Sequence, residues 1–396
     1  MTAADPPRIE RGGTEPPGGA PARMEPAGND HAGSRPGATE LAGIALQTAP
    51  AVPGPRPTTL SPDDADYLEL SRRVRMAGLL DRCPRAGLGR VALQGLALAV
   101  GVATIVWVGN SWWQLATAAV LAVLSGQLAF SSHDVGHGQG GRSRPANDLL
   151  GLVMANGLVG VSFGWWIDKH NRHHGHPNQQ DRDPDIGTGV FVWTPEQGRR
   201  RQGLGRRLAR HQAAFFFPMA ALEALHLHVA SALALPQRRP GRRSVEGALL
   251  GAHLVLGLGL LLAVMSPVKA LVFVAVHQGL LGLQLGSAFA PNHKGMPVFA
   301  ADEKPSFVQR QVITSRNIRG GWLIDFALGG LNHQIEHHLF PAMPRANLRR
   351  CRPIVRDFCA ERGLPYEEVS LLTSYARVLR SLRLAGAGGP PLQSGV

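Results

Sequence analysis

Long uncharged segments separated by short turns dominate the middle of the chain. The longest segments without Asp, Glu, Lys or Arg run from Val91 to Ser132, from Gly247 to Val268 and from Ala270 to His293. About 20 apolar residues in a helix cross a 30 Å hydrocarbon core, so the first segment is long enough for two spans. Gly109-Asn110-Ser111 predicts the turn between them, and Ser266-Pro267 divides 247–290 in the same way. The pattern predicts four transmembrane helices in two hairpins.

Two further apolar segments, 149–167 and 213–235, are each nearly long enough to span a membrane. If 149–167 crossed, the histidines before it and those after it would lie on opposite faces. We therefore expect an interfacial or re-entrant helix. Glu223, His226 and His228 favour the same assignment for 213–235, because uncompensated polar groups are disfavoured in lipid.

The ends of the chain differ in composition from its middle. Residues 1–60 are rich in Pro and Gly and poor in Leu, Ile and Val, which predicts a disordered tail. They contain no basic segment followed by an apolar run and a cleavage site, so we expect no cleaved signal peptide. We assign 61–385 to one membrane domain and 386–396 to a disordered C-terminal tail.

Helices are also predicted outside the spans. Ser61-Pro62-Asp63-Asp64 is typical of a helix start and predicts a helix to about Leu80. The segment from about Arg345 to Leu384 predicts two amphipathic cytoplasmic helices around a break at Gly363-Leu364-Pro365. The predicted fold class is all-α: a multi-pass membrane protein with interfacial helices and a cytosolic helical cap.

The positive charges are concentrated between the two hairpins. The formal net charge is +13, from 41 Lys and Arg against 28 Asp and Glu. The basic residues of this loop are Lys169, Arg172, Arg182, Arg199 to Arg201, Arg206, Arg207, Arg210 and the cluster from Arg238 to Arg243. The positive-inside rule places such a loop in the cytoplasm. Because the arginines are not interleaved with aromatic residues, they indicate contact with the cell membrane and not with nucleic acid.

The histidines form three clusters with helical spacing. Positions i, i+3 and i+4 share one helix face. The clusters are His133 with His137, then His170 with His173 and His174, and finally His337 and His338 with either His333 or Gln334. His293, at the end of the fourth predicted span, is a further candidate ligand, and Asn292 lies beside it.

These side chains are too many for one tetrahedral zinc ion. Divided between two ions, they supply four or five nitrogen-type ligands each and leave room for dioxygen. The three cysteines form no CxxC pair, and dense carboxylates are lacking, which favours a di-iron centre with two iron ions. Nearby polar residues are expected to orient the imidazoles: Asp134, Asp181, Asp183, Asp185, Asn292 and Glu336.

The three clusters also resemble a known set of motifs. His133-Asp-Val-Gly-His137, His170-Asn-Arg-His-His174 and Gln334-Ile-Glu-His-His338 are similar to the histidine boxes of the membrane fatty acid desaturases, and the resemblance covers roughly 65–385. Trp165-Trp166-Ile-Asp-Lys-His170 and Ala290-Pro-Asn-His-Lys-Gly-Met-Pro297 most resemble the bacterial acyl-CoA or acyl-lipid desaturases of the linoleoyl-type branch.

The resemblance implies an oxygen-dependent di-iron enzyme that introduces a cis double bond into a fatty acyl chain, with a channel for that chain beneath a cytosolic metal cap. Many members of the family have His or Gln at the position of Gln334. The resemblance therefore also implies that Gln334 is the ninth ligand. A di-iron hydroxylase or ketolase is an alternative, since the boxes do not separate these reactions. A non-enzymatic metal transporter is a remote alternative, because transporters place ligands near the membrane midplane.

The source of electrons is a separate question. The chain contains no HPGG-type haem segment, no GxGxxG loop on a strand–helix unit and no cysteine set for an iron–sulfur cluster. We therefore expect a separate electron donor, either a ferredoxin with its reductase or an iron–sulfur flavoprotein. The arginines between Arg199 and Arg210 are a candidate docking surface, with anionic lipid as the alternative partner.

Overall fold

A computed structural model describes residues 62–389, except positions 82 and 142. The predicted tail 1–60 and positions 390–396 lie outside the described residues. The α-helices are α1 (Pro62–Met76), α2 (Pro84–Val108), α3 (Gln114–Gly136), α4 (Arg144–Gly151), α5 (Phe163–Gly175), α6 (Pro195–Arg200), α7 (Gly203–Ala221), α8 (Glu223–Ala234), α9 (Pro240–Val264), α10 (Pro267–His293), α11 (Phe307–Ile313), α12 (Trp322–Ala327), α13 (Gln334–Leu339), α14 (Arg345–Glu361) and α15 (Leu371–Ala387). Two short strands are β1 (Asn317–Arg319) and β2 (Glu368–Ser370).

Four of these helices are long and apolar enough to cross a membrane: α2, α3, α9 and α10. The predicted all-α membrane architecture with two hairpins is thereby confirmed. Proline begins α2, α9 and α10, where its missing N–H costs nothing. At the turn between α2 and α3, the Gln114 side chain donates to the Ile105 and Gly109 carbonyls at 2.7 and 2.9 Å.

Hydrogen bonds connect the two hairpin turns at one end of the four-helix bundle. Asn110 Oδ1 accepts a hydrogen bond from the Ser266 backbone N–H at 3.1 Å. The Asn110 carbonyl also accepts one from Lys269 Nζ at 2.7 Å. Both turns therefore belong to the same end of the four-helix bundle.

The two additional apolar segments are sharply bent. A π-helix, Leu152–Val159, continues α4, and the chain then turns by 107° into α5. Gly160, with φ +81°, makes this turn. Because α5 returns its histidines to the end of α3, both ends of this segment lie at the same end of the bundle, as a re-entrant element requires. The segment α7–α8 bends by 73°.

The helices outside the membrane form a cap with its own core. Leu70 and Val74 of α1 pack with Val312 of α11 and with Phe358 of α14. The two predicted C-terminal helices are α14 and α15, and they are separated near Gly363. The helix predicted from 61 to about Leu80 ends earlier, at Met76, because Gly78 adopts a left-handed conformation with φ +66°.

One feature of the cap was not predicted. Strands β1 and β2 pair in parallel, with Ile318 opposite Val369. Each strand has only three residues, too few to show the alternation that identifies a strand in a sequence. The pair joins the segment before α12 to the segment before α15. Helix α15 runs to Ala387, two residues into the predicted tail 386–396.

Candidate metal centre

Five histidines converge at the end of the bundle opposite the hairpin turns. Their potential ligand atoms all lie within 4.8 Å of one another. They are His133, His137, His170, His174 and His337. His133 is on the last turns of α3, and His137 directly follows that helix. His170 and His174 are one turn apart on α5.

A second group of three histidines adjoins the first, again with ligand atoms within 4.8 Å. It consists of His173 on α5, His293 at the end of α10 and His338 on α13. Gln334 begins α13, and its Nε2 is 2.9 Å from His293 Nε2. The rings of His174 and His338 stack with centroids 4.2 Å apart, so the two groups of histidines are in direct contact.

Alternating residues on two short helices divide the ligands between these groups. On α5, His170 and His174 face the first group, whereas His173 faces the second. On α13, His337 faces the first group and His338 the second. Adjacent helical residues differ by about 100° in direction, so each helix contributes to both groups and forms part of the partition between them.

Hydrogen bonds fix the tautomers of the second group. His173 Nδ1 donates to Asp183 Oδ1 at 3.0 Å, and His293 Nδ1 donates to the Thr314 carbonyl at 3.0 Å. His338 Nδ1 is 2.9 Å from Gln311 Oε1. An imidazole that donates through Nδ1 presents an unprotonated Nε2, which is the form that binds metal ions. Neutral imidazoles oriented in this way are suited to transition metals.

The inward-facing nitrogens support the same conclusion. The Nε2 atoms of His133, His337 and His338 are buried and have no hydrogen-bond partner among the described residues. Burial holds the pKa values of five cluster imidazoles outside the spans well below the usual range. These are His137, His170, His174, His337 and His338. Buried lone pairs that face one another are costly unless a cation lies between them, so the residues present fit two metal ions.

The side chains of His333 and Gln334 have different contacts, and only that of Gln334 reaches the histidine groups. His333 Nε2 is 3.3 Å from Asp325 Oδ1 and lies outside both groups of converging histidines. Gln334 contacts His293, and its Oε1 accepts a hydrogen bond from Asn292 Nδ2 at 3.3 Å. Asn292 also donates to the Leu331 carbonyl at 2.9 Å. Asn292 therefore positions Gln334 rather than an imidazole.

The predicted carboxylates have different environments. Asp183 and Asp185 lie 3.0 and 3.5 Å from His173 Nδ1. Asp134 Oδ1 lies 3.6 Å from His133 Nδ1. Asp181 does not fit the prediction: it is exposed and makes no hydrogen bond or ion pair within the described part of the chain.

Glu336 also departs from the prediction that it orients an imidazole. Its carboxylate accepts hydrogen bonds from Asn317 Nδ2 and the Tyr366 hydroxyl, each at 2.7 Å. Burial raises its pKa to about 7. Because Glu336 precedes His337 on a helix, its side chain is rotated away from the metal ligands and toward β1 and the loop before β2.

Three residues of the site were missed from the sequence. Gln311 holds His338 and also donates to the His174 carbonyl at 2.9 Å. Thr314 supplies the carbonyl that holds His293. Trp166 stacks on His170, with centroids 4.4 Å apart. Gln311 and Thr314 lie on or beside α11, which carries no histidine, so no local motif marked them. Trp166 is one turn before His170, and that spacing was the available signal.

Comparison with known proteins adds independent evidence. The family described as fatty acid desaturase matches residues 110–370, which include every residue of the two histidine groups. An acyl-lipid (9-3)-desaturase of Physcomitrium patens is 34% identical over 72% of this chain and 56% of its own length. A Delta(6)-fatty-acid desaturase of Caenorhabditis elegans is 30% identical over 68% and 64%. A Delta(8)-fatty-acid desaturase of Helianthus annuus is 28% identical over 81% and 73%.

The chain spans less than two thirds of the length of the first two relatives. All three organisms are eukaryotes, so the comparisons do not support the narrower resemblance to the bacterial linoleoyl-type branch. The family match nevertheless extends over more than half of the chain and contains the converging histidines. The chain belongs to the fatty acid desaturase family.

Proposed function

We propose that this protein is an oxygen-dependent fatty acyl desaturase that introduces a cis double bond. The convergence of eight histidines and Gln334 at one end of a membrane bundle carries this proposal. The names of the relatives, which are desaturases of acyl lipids and fatty acids, support it. In the overall reaction a CH2–CH2 unit, dioxygen, two electrons and two protons give a cis CH=CH unit and two water molecules.

The proposed cofactor is a pair of iron ions. The first would be held by His133, His137, His170, His174 and His337, and the second by His173, His293, Gln334 and His338. When bound, the ions supply an oxidant strong enough to attack an unactivated methylene, which no protein side chain provides. Asp183, Gln311 and the Thr314 carbonyl keep three imidazoles oriented, so the ligands need no rearrangement before the reaction.

We place the metal centre on the cytoplasmic side of the cell membrane. The basic clusters from Arg199 to Arg210 and from Arg238 to Arg243 belong to segments at the same end of the bundle as the histidines. Arg238 Nη1 forms an ion pair with Asp168 Oδ2, on the helix that carries His170. Because positive residues remain on the cytoplasmic side during insertion, the ligands would be cytoplasmic as well.

A separate electron donor, a ferredoxin with its reductase or an iron–sulfur flavoprotein, would supply the electrons. Electron carriers of these kinds are often acidic. The exposed Arg206 and Arg207 on α7 offer them a positive surface. Leu204 and Leu208 on the same helix are 70% and 51% exposed, which makes an anionic lipid surface the alternative partner.

The experiment that tests the function compares fatty acids from a host that expresses the protein with those from a host without it. Gas chromatography should show a new cis-unsaturated acid only in the expressing host. His338→Ala should abolish the product, whereas His211→Ala, which alters an exposed histidine outside the clusters, should retain it. A hydroxylated product would contradict desaturation, and purified protein with one zinc ion would contradict the iron centre.

A further inference from the structure

A cavity of about 120 Å³ lies where the first turns of α2 meet the end of α3 and the start of α14. One water molecule needs about 10–15 Å³ of such space, so the cavity admits a much larger group. Small apolar residues form much of its wall, including Ala86, Val91, Val135, Ala342 and Ala346. This cavity is separate from the space between the histidines.

Three charged side chains line the same cavity. Asp134 Oδ2 lies 3.3 Å from Arg90 Nη1 and 2.7 Å from Arg345 Nη2. One carboxylate therefore serves two guanidinium groups, which leaves a net positive charge. The Arg345 side chain is 13% exposed, and its Nε is buried with no hydrogen-bond partner in the described part of the chain. An anion in the cavity would compensate this charge.

The cavity lies beside the polar end of the α2 span, where lipid head groups are expected. Arg90 is on the second turn of α2, and the uncharged segment begins at the next residue, Val91. Leu88 and Leu93 of the same helix are 57% and 66% exposed, as expected for side chains that contact lipid. Arginine at the end of a span typically extends toward the phosphates of the bilayer, and Arg90 lines the cavity at such a position.

We propose that this cavity, the Arg90–Arg345 pocket, binds the phosphate of a membrane glycerophospholipid. Guanidinium groups bind phosphate through two parallel hydrogen bonds, and the apolar wall is suited to the glycerol and the first methylene groups. Asp134 links the pocket to the metal centre, because its Oδ1 lies 3.6 Å from His133 Nδ1. The inference rests on the proposed function in one respect: it names a phospholipid as the acyl carrier.

Photolabelling tests the pocket without requiring turnover. The protein, reconstituted in phosphatidylcholine vesicles, is irradiated with a phosphatidylcholine probe that carries a diazirine near the ester. Labelled peptides are then mapped by mass spectrometry. A diacylglycerol probe with the same diazirine serves as the control without phosphate. Residues 83–91 and 342–347 should be labelled at least about tenfold more by the phospholipid probe, the effect expected for charge-assisted hydrogen bonds.

Variants separate the pocket from general contact with lipid. Arg90→Gln should reduce the labelling about tenfold, and Arg90→Lys should reduce it less. Arg85→Gln, which removes the same charge from an exposed position on the same helix, should leave it unchanged. Retained iron content would show that a variant is folded. Arg345→Gln provides a second test if Arg90→Gln does not accumulate.

Three results would overturn the proposal. Equal labelling by the diacylglycerol probe would show that the phosphate is not recognised. Displacement of the probe by a fatty acyl-CoA, but not by free coenzyme A, would identify a soluble thioester as the carrier. Displacement by inorganic phosphate alone would indicate an unspecific anion site. Labelling with no fatty acid product would contradict the proposed function and leave the lipid site intact, so the two failures are distinguishable.

Discussion

His333 and Gln334 are consecutive residues with side chains in different environments: His333 Nε2 is 3.3 Å from Asp325 Oδ1, whereas Gln334 Nε2 is 2.9 Å from His293 Nε2. Backbone geometry explains this difference, since His333 precedes α13 and Gln334 is its first residue. The more common metal ligand of the two types is therefore directed away from the other histidines.

We predict that His333→Ala keeps both irons, whereas Gln334→Ala lowers the iron content toward one per chain. Removal of Gln334 takes one ligand from the smaller group, which has only three histidines. Iron per chain, measured by mass spectrometry of the purified variants, checks this. The reverse result would make His333 the ligand and would mean that the loop before α13 rearranges when metal binds.

Asp183 should influence metal affinity through His173. Asp183→Ala removes the acceptor of the Nδ1 proton and should weaken iron binding about 10- to 100-fold, the usual effect of losing such a partner. Asp183→Asn keeps an acceptor and should weaken binding less. Asp181→Asn, at an exposed position two residues earlier where φ is +60°, is the matched control for Asp183→Asn. Competition with a chelator measures the affinity, and wild-type affinity in Asp183→Ala would exclude this role.

Gly160 should contribute to the stability of the fold. A Cβ there would lie 2.7 Å from atoms of both His228 and His253, and φ is +81°. Gly160→Ala should lower the free energy of unfolding by about 1–3 kcal/mol. In Gly157→Ala the added methyl meets nothing within 4 Å, so this variant should unfold near the wild-type temperature. Thermal unfolding in detergent compares them, and equal midpoints would show that the turn tolerates a side chain.

Labelling of the native Cys83 and of two introduced cysteines tests the membrane topology. Cys83 is exposed at the start of α2, on the end of the bundle that we assign to the cytoplasm. An impermeant maleimide should label it only in permeabilised cells. In a Cys83→Ser background, Asn110→Cys should react in intact cells, and Val190→Cys, on an exposed loop after α5, should not. Labelling of Val190→Cys in intact cells would mean that the segment 144–175 crosses the membrane.

The basic surface of α7 should affect electron delivery. Arg206→Glu combined with Arg207→Glu should lower the rate of donor-dependent turnover about tenfold at low salt and flatten its salt dependence. The matched control reverses two exposed arginines of α14, Arg350 and Arg356. Unchanged turnover in the α7 variant would assign these arginines to lipid contact.

Several elements of the fold and the site could be predicted from local patterns alone. Uncharged segments located the spans, and i, i+4 spacing placed His170 and His174 on one face. Contacts between distant segments could not be predicted in this way. Gln311 and Thr314 act on histidines of α13 and α10, and Asn110 joins the two hairpin turns. None of these residues lies in a repeating pattern, and their partners are set by how the helices pack.

The division of ligands between α3, α5, α10 and α13 has a consequence for biosynthesis. His133 leaves the ribosome long before His338, because synthesis proceeds from the N terminus. The first group lacks His337 and the second lacks Gln334 and His338 until α13 has emerged, by which time all four spans precede it in the chain. Under the proposed assignment, neither ion has its full set of ligands until α13 has been synthesised. A chain that ended before α13 would therefore contain all four spans but an incomplete set of ligands for each ion.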